Sequence, residues 1–125
     1  MKLLYEKETY LIRGVCFNIY KQLGFVHKEV IYQNALYQKL TRAGFKIEKE
    51  KRIAVNLDGK RIGIYQPDLI VNDKILIEVK AKSFLLEEDI AQFWYYLKCS
   101  DYKLGLLINF GKPNGIKIVR RIYTK

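Results

Sequence analysis

Three charged residues near the middle of the chain have the types and the spacing of a metal-dependent hydrolytic site. Asp68 and Glu78 are ten positions apart, and Lys80 follows Glu78 by two. Side chains alternate along a strand, so Glu78 and Lys80 share one face of the run ILIEVKA. Carboxylate oxygens are the ligands that a hard cation such as Mg²⁺ prefers, and a lysine beside that cation can bind a phosphate oxygen and orient water. Phosphodiester hydrolysis is the chemistry that this set would perform.

The same residues also allow a purely structural interpretation. Ile75, Ile77 and Val79 make the opposite face of this strand apolar, as in a half-buried strand. A Glu and a Lys on the outer face of such a strand commonly serve solubility. Asp68 falls in strand phase with apolar residues, where an unpaired carboxylate is costly to bury. The pattern of residues alone leaves both interpretations open.

The elements that must position these residues begin with two helices. Apolar residues recur every three or four positions from Leu4 to Leu23, and Gly24 ends the pattern. A second helix is predicted from about Lys28 to Ala43, with Gly44 as its C-terminal stop. The positions expected to face inward include Leu11, Ile12, Val15, Cys16, Ile19, Ile31, Ala35, Leu36 and Leu40.

Three β-rich runs follow the helices: FKIEKEKRIAVNL, KRIGIYQPDLIV and KILIEVKA. Asp58-Gly59 separates the first two runs and Asn72-Asp73 the last two, and both pairs are typical of tight hairpin turns. The runs therefore predict a three-strand antiparallel meander. Its second turn folds the third strand directly back, which brings Glu78 close to Asp68.

The rest of the chain predicts a crossover. A helix with an acidic first turn is predicted for LLEEDIAQFWYYLKCS. A strand buried on both faces is predicted for KLGLLINF, and a last strand for GIKIVRRIYTK. A helix between the third and fourth strands is typical of a connection between parallel neighbours. We find no linker or repeat, so residues 1–125 are predicted to form a single α/β domain with a mixed sheet.

The charge balance predicts an anionic partner. Formal net charge is +10, from 23 Lys and Arg against 13 Asp and Glu, and such an excess attracts polyanions. We expect a nucleic acid or another phosphate, although the charge also serves solubility. Lys51, Arg52, Lys60 and Arg61 flank the first predicted hairpin, where they either contact phosphates or form a solvated edge.

The spacing of the two cysteines and the length of the apolar runs indicate the cellular compartment of the protein. Cys16 and Cys99 lie far apart in helical patterns without the spacing of a zinc site, and both are predicted to be buried thiols of a cytoplasmic protein. No apolar run approaches the length of a membrane span, and the N-terminus lacks the apolar stretch of a signal peptide. We therefore expect neither export nor a membrane partner.

A family signature is recognisable in the second and third β runs. Pro67-Asp68, nine intervening residues and then Glu78-Val79-Lys80 resemble the motif of the PD-(D/E)XK nuclease superfamily. The resemblance implies a restriction-endonuclease-like fold. It implies that Asp68, Glu78 and the main-chain carbonyl of Val79 bind Mg²⁺ or Mn²⁺, and that Asp68, Glu78 and Lys80 form the catalytic set.

A second resemblance extends over most of the chain. The stretches LGFVHKEVIYQNAL, RIGIYQPDLIVNDKILIEVKA, AQFWYYLK and LGLLINFG are similar to the GxxExxY proteins of the same superfamily. Glu29 and Tyr32 then correspond to the Glu and Tyr of the family name, while Val26 replaces its glycine. Gln92 and Tyr96 correspond to a glutamine and a tyrosine of the helix after the Glu-x-Lys strand. All four are predicted to be accessory site residues.

Elementary geometry allows these accessory roles. Glu29 begins the second predicted helix, where a carboxylate either caps the helix or adds a ligand to the metal site. Gln92 and Tyr96 are four residues apart and share one helix face, so both can reach the site or the substrate backbone, or pack.

These observations predict a metal-dependent nuclease that hydrolyses phosphodiester bonds in DNA. The alternative is a catalytically silent module that binds nucleic acid or protein on the same fold, and the altered glycine at Val26 favours it. A homodimer formed through the first helix is compatible with the pattern.

Overall fold

Secondary structure in the computed structural model, which describes residues 4–124, follows the predicted order closely. The three helices are α1 (Glu6–Leu23), α2 (Glu29–Arg42) and α3 (Glu87–Cys99). The strands are β1 (Ile47–Glu48), β2 (Ile53–Leu57), β3 (Lys60–Tyr65), β4 (Leu69–Val71), β5 (Ile75–Lys80), β6 (Leu104–Asn109) and β7 (Lys117–Ile122). The prediction of a mixed α/β fold is confirmed.

Five of the strands form one mixed sheet in the order β1-β4-β5-β6-β7. β1, β4 and β5 make the predicted antiparallel meander, and α3 carries the chain across to β6, which runs parallel to β5. β7 then pairs antiparallel with β6. All six residues of β6 are buried, as predicted for a strand covered on both faces.

The first two β runs each divide into two strands. Their distal parts, β2 and β3, pair only with each other around the turn at Asp58-Gly59, and we call this two-stranded sheet the ribbon. The second run is interrupted at residues 66–68, where Pro67 has no N–H to give to a strand partner. The interruption places Asp68 just before β4 instead of within a continuous strand.

Two helical layers enclose the five-stranded sheet. On one face, α1 and α2 bury apolar side chains such as Ile12, Cys16 and Leu36 against Ile75, Ile77 and Val79 of β5. On the other face, α3 and the base of the ribbon pack through Phe93, Leu97 and Tyr65 onto the apolar side chains of the sheet that point to that face. The alternation of β5 between these two layers is the one that its sequence predicts.

Three side chains that the sequence predicts to be buried are exposed in the structure. Leu11 and Ile31 are 44% and 42% exposed, because α1 and α2 present them to the side of the helix pair instead of to the sheet. Cys99 is exposed because α3 buries Phe93, Leu97 and the following Ser100, and residue 99 lies off that face. Cys16 is buried as predicted, and burial raises the pKa of its thiol to about 12.

No helix in the stretch from residue 4 to residue 124 combines the length and the apolar character needed to cross a membrane.

Candidate active site

The candidate site forms where β4 begins and β5 ends. In the antiparallel register of these strands, Leu69 lies opposite Ile77 and Ile70 opposite Leu76. Continuing that register by one residue sets Asp68 opposite Glu78, and directly opposite side chains on one face are about 5 Å apart. The strand pairing therefore brings together two carboxylates that the sequence separates by ten positions.

The interruption at Pro67 is compensated by side-chain hydrogen bonds. The Val79 N–H, which the continued register would set opposite Pro67, donates to Asp68 Oδ2 at 2.7 Å. The Asp68 N–H donates to Glu78 Oε1 at 3.3 Å, and the Tyr65 hydroxyl donates to the same oxygen. Asp68 and Glu78 are thus fixed by the backbone of each other's strand and by the last residue of the ribbon.

The electrostatics of this pair favour a bound cation. Burial, and then the charge of Asp68, raise the pKa of Glu78 to about 8, although the Tyr65 hydrogen bond opposes the rise. Burial also raises the pKa of Asp68, against the Val79 N–H and the charge of Lys80. Two partly buried carboxylates that repel each other carry negative charge that a divalent cation would neutralise.

Lys80 supplies a positive charge beside this pair. It projects from β5 on the same face as Glu78, is half-buried, and lowers the pKa of both carboxyl groups. Its carbonyl accepts a hydrogen bond of 2.9 Å from the Phe110 N–H, which ties this end of β5 to the end of β6. The lysine is therefore held on a paired strand next to the two carboxylates.

Glu29 comes to the site from the opposite helical layer. It is the first residue of α2, and Lys28, not Glu29, is the N-cap residue, without a side-chain cap bond. Burial and then the charge of Asp68 raise the pKa of Glu29, whereas Lys80 and Lys82 lower it. The next turn of α2 adds Gln33, whose Nε2 donates to Glu29 Oε1 at 3.5 Å and whose side chain lowers the pKa of Asp68. α2 thus brings one carboxylate and one amide to the site.

The other predicted accessory residues have different surroundings. The Tyr96 ring stacks on the Tyr65 ring with centroids 3.9 Å apart, so it contacts a residue that binds Glu78. Gln92, one turn earlier on α3, is exposed. Tyr32 is fully buried and stacks on Phe110. Its hydroxyl donates to the Gly24 carbonyl at 2.6 Å, which fixes the loop that leads to Glu29.

A clamp at the end of β6 holds the chain beyond Lys80. The side-chain amide of the fully buried Asn109 accepts from the Lys82 N–H and donates to the Lys82 carbonyl, both at 2.9 Å. A Cβ on Gly111 would lie 2.3 Å from the Lys82 nitrogen, so only glycine allows this approach. Lys82 in turn binds both carboxylate oxygens of Asp89, at 2.8 and 2.9 Å.

Sequence reasoning missed these supporting residues. Tyr65 ends an alternating run, and Asn109 ends an apolar one, so neither stands out by type or spacing. The one available signal was the polar Asn109 within the continuous apolar stretch LGLLINF, since a buried amide needs partners.

The donors present fit a hard divalent cation. In an extended strand the N–H and C=O of one residue point to the same side. Because the Val79 N–H donates to Asp68, the Val79 carbonyl is also directed to the side of Asp68, where β4 has not yet begun to pair with β5. Among residues 4–124, no group of three or more His, Cys, Asp or Glu side chains could hold a metal ion. The ion would therefore bind two carboxylates, a main-chain carbonyl and water, as Mg²⁺ commonly does.

Solved structures with the same fold include two proteins of low sequence identity. An alkaline exonuclease (LHK-Exo) from Laribacter hongkongensis aligns with a TM-score of 0.52 and 14% identity, over 99% of this chain and 73% of its own. The protein SSO0001 aligns with a TM-score of 0.53 and 21% identity, over 97% of this chain and 61% of its own, so this chain spans less than two thirds of it. At these identities the likeness shows the fold. No curated protein sequence matches the chain.

A family model agrees with the fold. The model described as the PD-(D/E)XK nuclease superfamily matches residues 6–122. Because that match extends over nearly the whole sequence, the chain belongs to the PD-(D/E)XK nuclease superfamily.

Proposed function

We propose that this protein hydrolyses phosphodiester bonds in DNA with the help of Mg²⁺ or Mn²⁺. The observation that carries the proposal is the convergence of Asp68 and Glu78 at one end of the sheet, linked through the Val79 and Asp68 N–H groups, with Lys80 on the same face. Membership of the nuclease superfamily supports the reaction class.

Each residue has a distinct part in the proposed reaction. Asp68, Glu78 and the Val79 carbonyl hold the cation, which when bound stabilises the negative charge that develops on the phosphate oxygens. Lys80 donates hydrogen bonds to a non-bridging phosphate oxygen and orients the attacking water. The half-buried setting of these groups strengthens every charge interaction among them.

The accessory residues act around this centre. Glu29, whose pKa the charge of Asp68 raises, acts on the water around the metal and not as a third carboxylate ligand. Gln92 and Tyr96 on α3 contact the substrate backbone. Tyr32 acts indirectly, because its hydrogen bond to Gly24 fixes the α1–α2 loop next to Glu29.

Several finer predictions remain part of this proposal. These are the GxxExxY relationship, the choice of DNA as substrate, a cytoplasmic location and a homodimer. The exposed apolar residues Tyr10, Leu11 and Phe17 on α1 are compatible with a homodimer.

A catalytically silent nucleic-acid or protein-binding module is the second candidate. It is favoured by the two donors, Tyr65 and the Asp68 N–H, that already engage Glu78 Oε1. These hydrogen bonds hold the site together without a metal. A cation must then bind through the remaining oxygens or displace the tyrosine.

Thermal unfolding with and without metal separates the two candidates. At a metal concentration ten times Kd, binding adds about 1.4 kcal/mol to the free energy of unfolding, which raises Tm by about 5 °C. We expect this gain with Mg²⁺ or Mn²⁺ and its loss in Asp68→Asn. The matched control is Asp58→Asn, an acidic residue exposed at the tip of the ribbon, which should keep the gain. No gain in the wild-type protein with millimolar Mg²⁺ or Mn²⁺ would favour the silent module.

A further inference from the structure

The ribbon is the least covered regular structure between residues 4 and 124. Five of the six residues of β3 are exposed, and the ribbon pairs with no other strand. A two-stranded hairpin is marginally stable alone, so its fixed position depends on its base. At that base Ile53, Val55 and Tyr65 pack against the α3 layer.

The two faces of the ribbon differ. Ile53, Val55 and Tyr65 on the inner face pack at the base, whereas Ile64, which pairs with Ala54 on the outer face, and Ile62, two positions before it, are 42% and 65% exposed. Neighbouring exposed apolar side chains on one face are compatible with a contact surface.

The charges of the ribbon identify the kind of partner. Lys60 and Arg61 are at its tip and Lys51 and Arg52 at its base, and Asp58 is the one acidic residue from 51 to 65. None of these four basic residues forms a salt bridge within the described part of the chain. This group of positive charges would repel a second copy of this basic protein and attract a polyanion.

The position of the ribbon relates this surface to the active site. Tyr65, its last residue, donates to Glu78 and stacks on Tyr96, and Asp68 follows only three residues later. A polymer whose phosphodiester bond is at Glu78 would therefore lie within reach of the base of the ribbon.

We propose that the outer face of the β2–β3 ribbon enters the major groove of duplex DNA next to the active site. The proposal rests on the proposed nuclease function and adds a substrate class to it, duplex DNA in preference to duplex RNA or single strands.

The dimensions of the ribbon fit this groove. Its strands are about 4.8 Å apart and six extended residues span about 20 Å. The major groove of B-form DNA is about 12 Å wide and admits a two-stranded ribbon. There Ile62 and Ile64 would contact base edges and thymine methyl groups, while Lys60 and Arg61 would bind phosphates. The major groove of duplex RNA is deep and narrow, which excludes such an element.

Binding titrations in EDTA test this inference independently of catalysis. Fluorescence anisotropy would measure the affinity of the wild-type protein for a labelled 20-base-pair DNA duplex, chosen as roughly two helical turns, for the RNA duplex of the same sequence and for single-stranded DNA. Lys60→Ala combined with Arg61→Ala removes the charges at the tip. Lys7→Ala combined with Arg13→Ala removes one Lys and one Arg that are exposed on α1. Circular dichroism would check that both variants are folded.

The expected results are specific to the ribbon. Wild-type protein should prefer the DNA duplex, and the tip variant should bind it about tenfold more weakly, with a salt dependence lower by about two phosphate contacts. The α1 variant should bind close to wild type. Dimethyl sulfate methylates guanine N7 in the major groove, and wild-type protein should protect that atom whereas the tip variant should not.

Three outcomes would overturn the proposal. They are equal affinity for the DNA and RNA duplexes, equal losses in the two double variants, and unprotected guanine N7 despite tight binding. Failure of the proposed nuclease function would instead appear as absence of metal-dependent cleavage, with the binding results unaffected.

Discussion

The two faces of β5 differ in how completely the rest of the protein covers them. Toward α1 and α2, the side chains of Ile75, Ile77 and Val79 have no exposed surface. Toward α3, Leu76 is buried but Glu78 and Lys80 are only half-buried. One strand therefore contributes a closed core on one side and an open, charged site on the other.

The cause of this difference is the way neighbouring elements end. β4 starts only at Leu69, the ribbon ends at Tyr65, and α3 begins at Glu87. The carboxyl end of β5 is consequently left without full cover on the α3 side. A closed face supplies most of the hydrophobic stabilisation, and an incompletely covered face leaves room for substrate.

Replacing one residue on each face should separate stability from function. Ile77→Ala removes a fully buried side chain from the closed face and should lower the free energy of unfolding by about 3 kcal/mol. Glu78→Gln keeps the shape and relieves the repulsion by Asp68, so its effect on stability should stay below about 1 kcal/mol. Urea unfolding in EDTA measures the free energy of unfolding of both variants. Similar losses in the two variants would contradict the division between the faces.

The Asn109 clamp should matter for both stability and the open face. Asn109→Ala leaves the Lys82 N–H and C=O without their side-chain partner, which should lower the free energy of unfolding by about 2 kcal/mol. It should also reduce the Tm gain with metal, because the chain beyond Lys80 is no longer held. Asn34→Ala, an exposed change on α2, is the control and should alter neither quantity. An unchanged Tm gain in Asn109→Ala would show that the clamp serves stability alone.

A smaller effect is expected from Tyr65→Phe. The change removes the hydroxyl that orients Glu78 and should weaken metal binding about tenfold, with about 1 kcal/mol lost in stability. Tyr95→Phe removes an exposed hydroxyl from α3 and should leave metal affinity unchanged. Isothermal titration calorimetry with Mn²⁺ would compare the metal affinities of the two variants. Tighter binding by Tyr65→Phe would mean that the tyrosine competes with the metal for Glu78.

Local sequence patterns were sufficient to predict the sheet and the position of the two carboxylates. Alternation in ILIEVKA and the turn pair Asn72-Asp73 depend only on near neighbours, and the turn residues adopt the left-handed φ angles that such a hairpin requires. That is why the relation between Asp68 and Glu78 could be inferred before any tertiary contact was known.

Long-range packing was not predictable in the same way. The ribbon separates from the main sheet because Pro67 interrupts pairing, but an interrupted strand and a continuous one look alike in alternation. The Tyr65–Glu78 and Asn109–Lys82 hydrogen bonds join residues 13 and 27 positions apart. Exposure of Cys99 likewise depends on the angle at which α3 packs, which its sequence period fixes only to within a residue.

Metal-dependent cleavage is the most direct test of the proposed site. A labelled panel of single-stranded, duplex and four-way branched DNA would be incubated with Mg²⁺ and with Mn²⁺, with wild-type protein, Asp68→Asn and Lys80→Ala. Glu6→Gln, a change at an exposed acidic residue of α1, is the control. We predict cleavage by the wild type and the control, and a loss of about 10³-fold or more in both site variants, which corresponds to roughly 4 kcal/mol of transition-state stabilisation. Absence of cleavage by the wild-type protein with either metal, or cleavage that persists in Asp68→Asn, would contradict the assignment of this site.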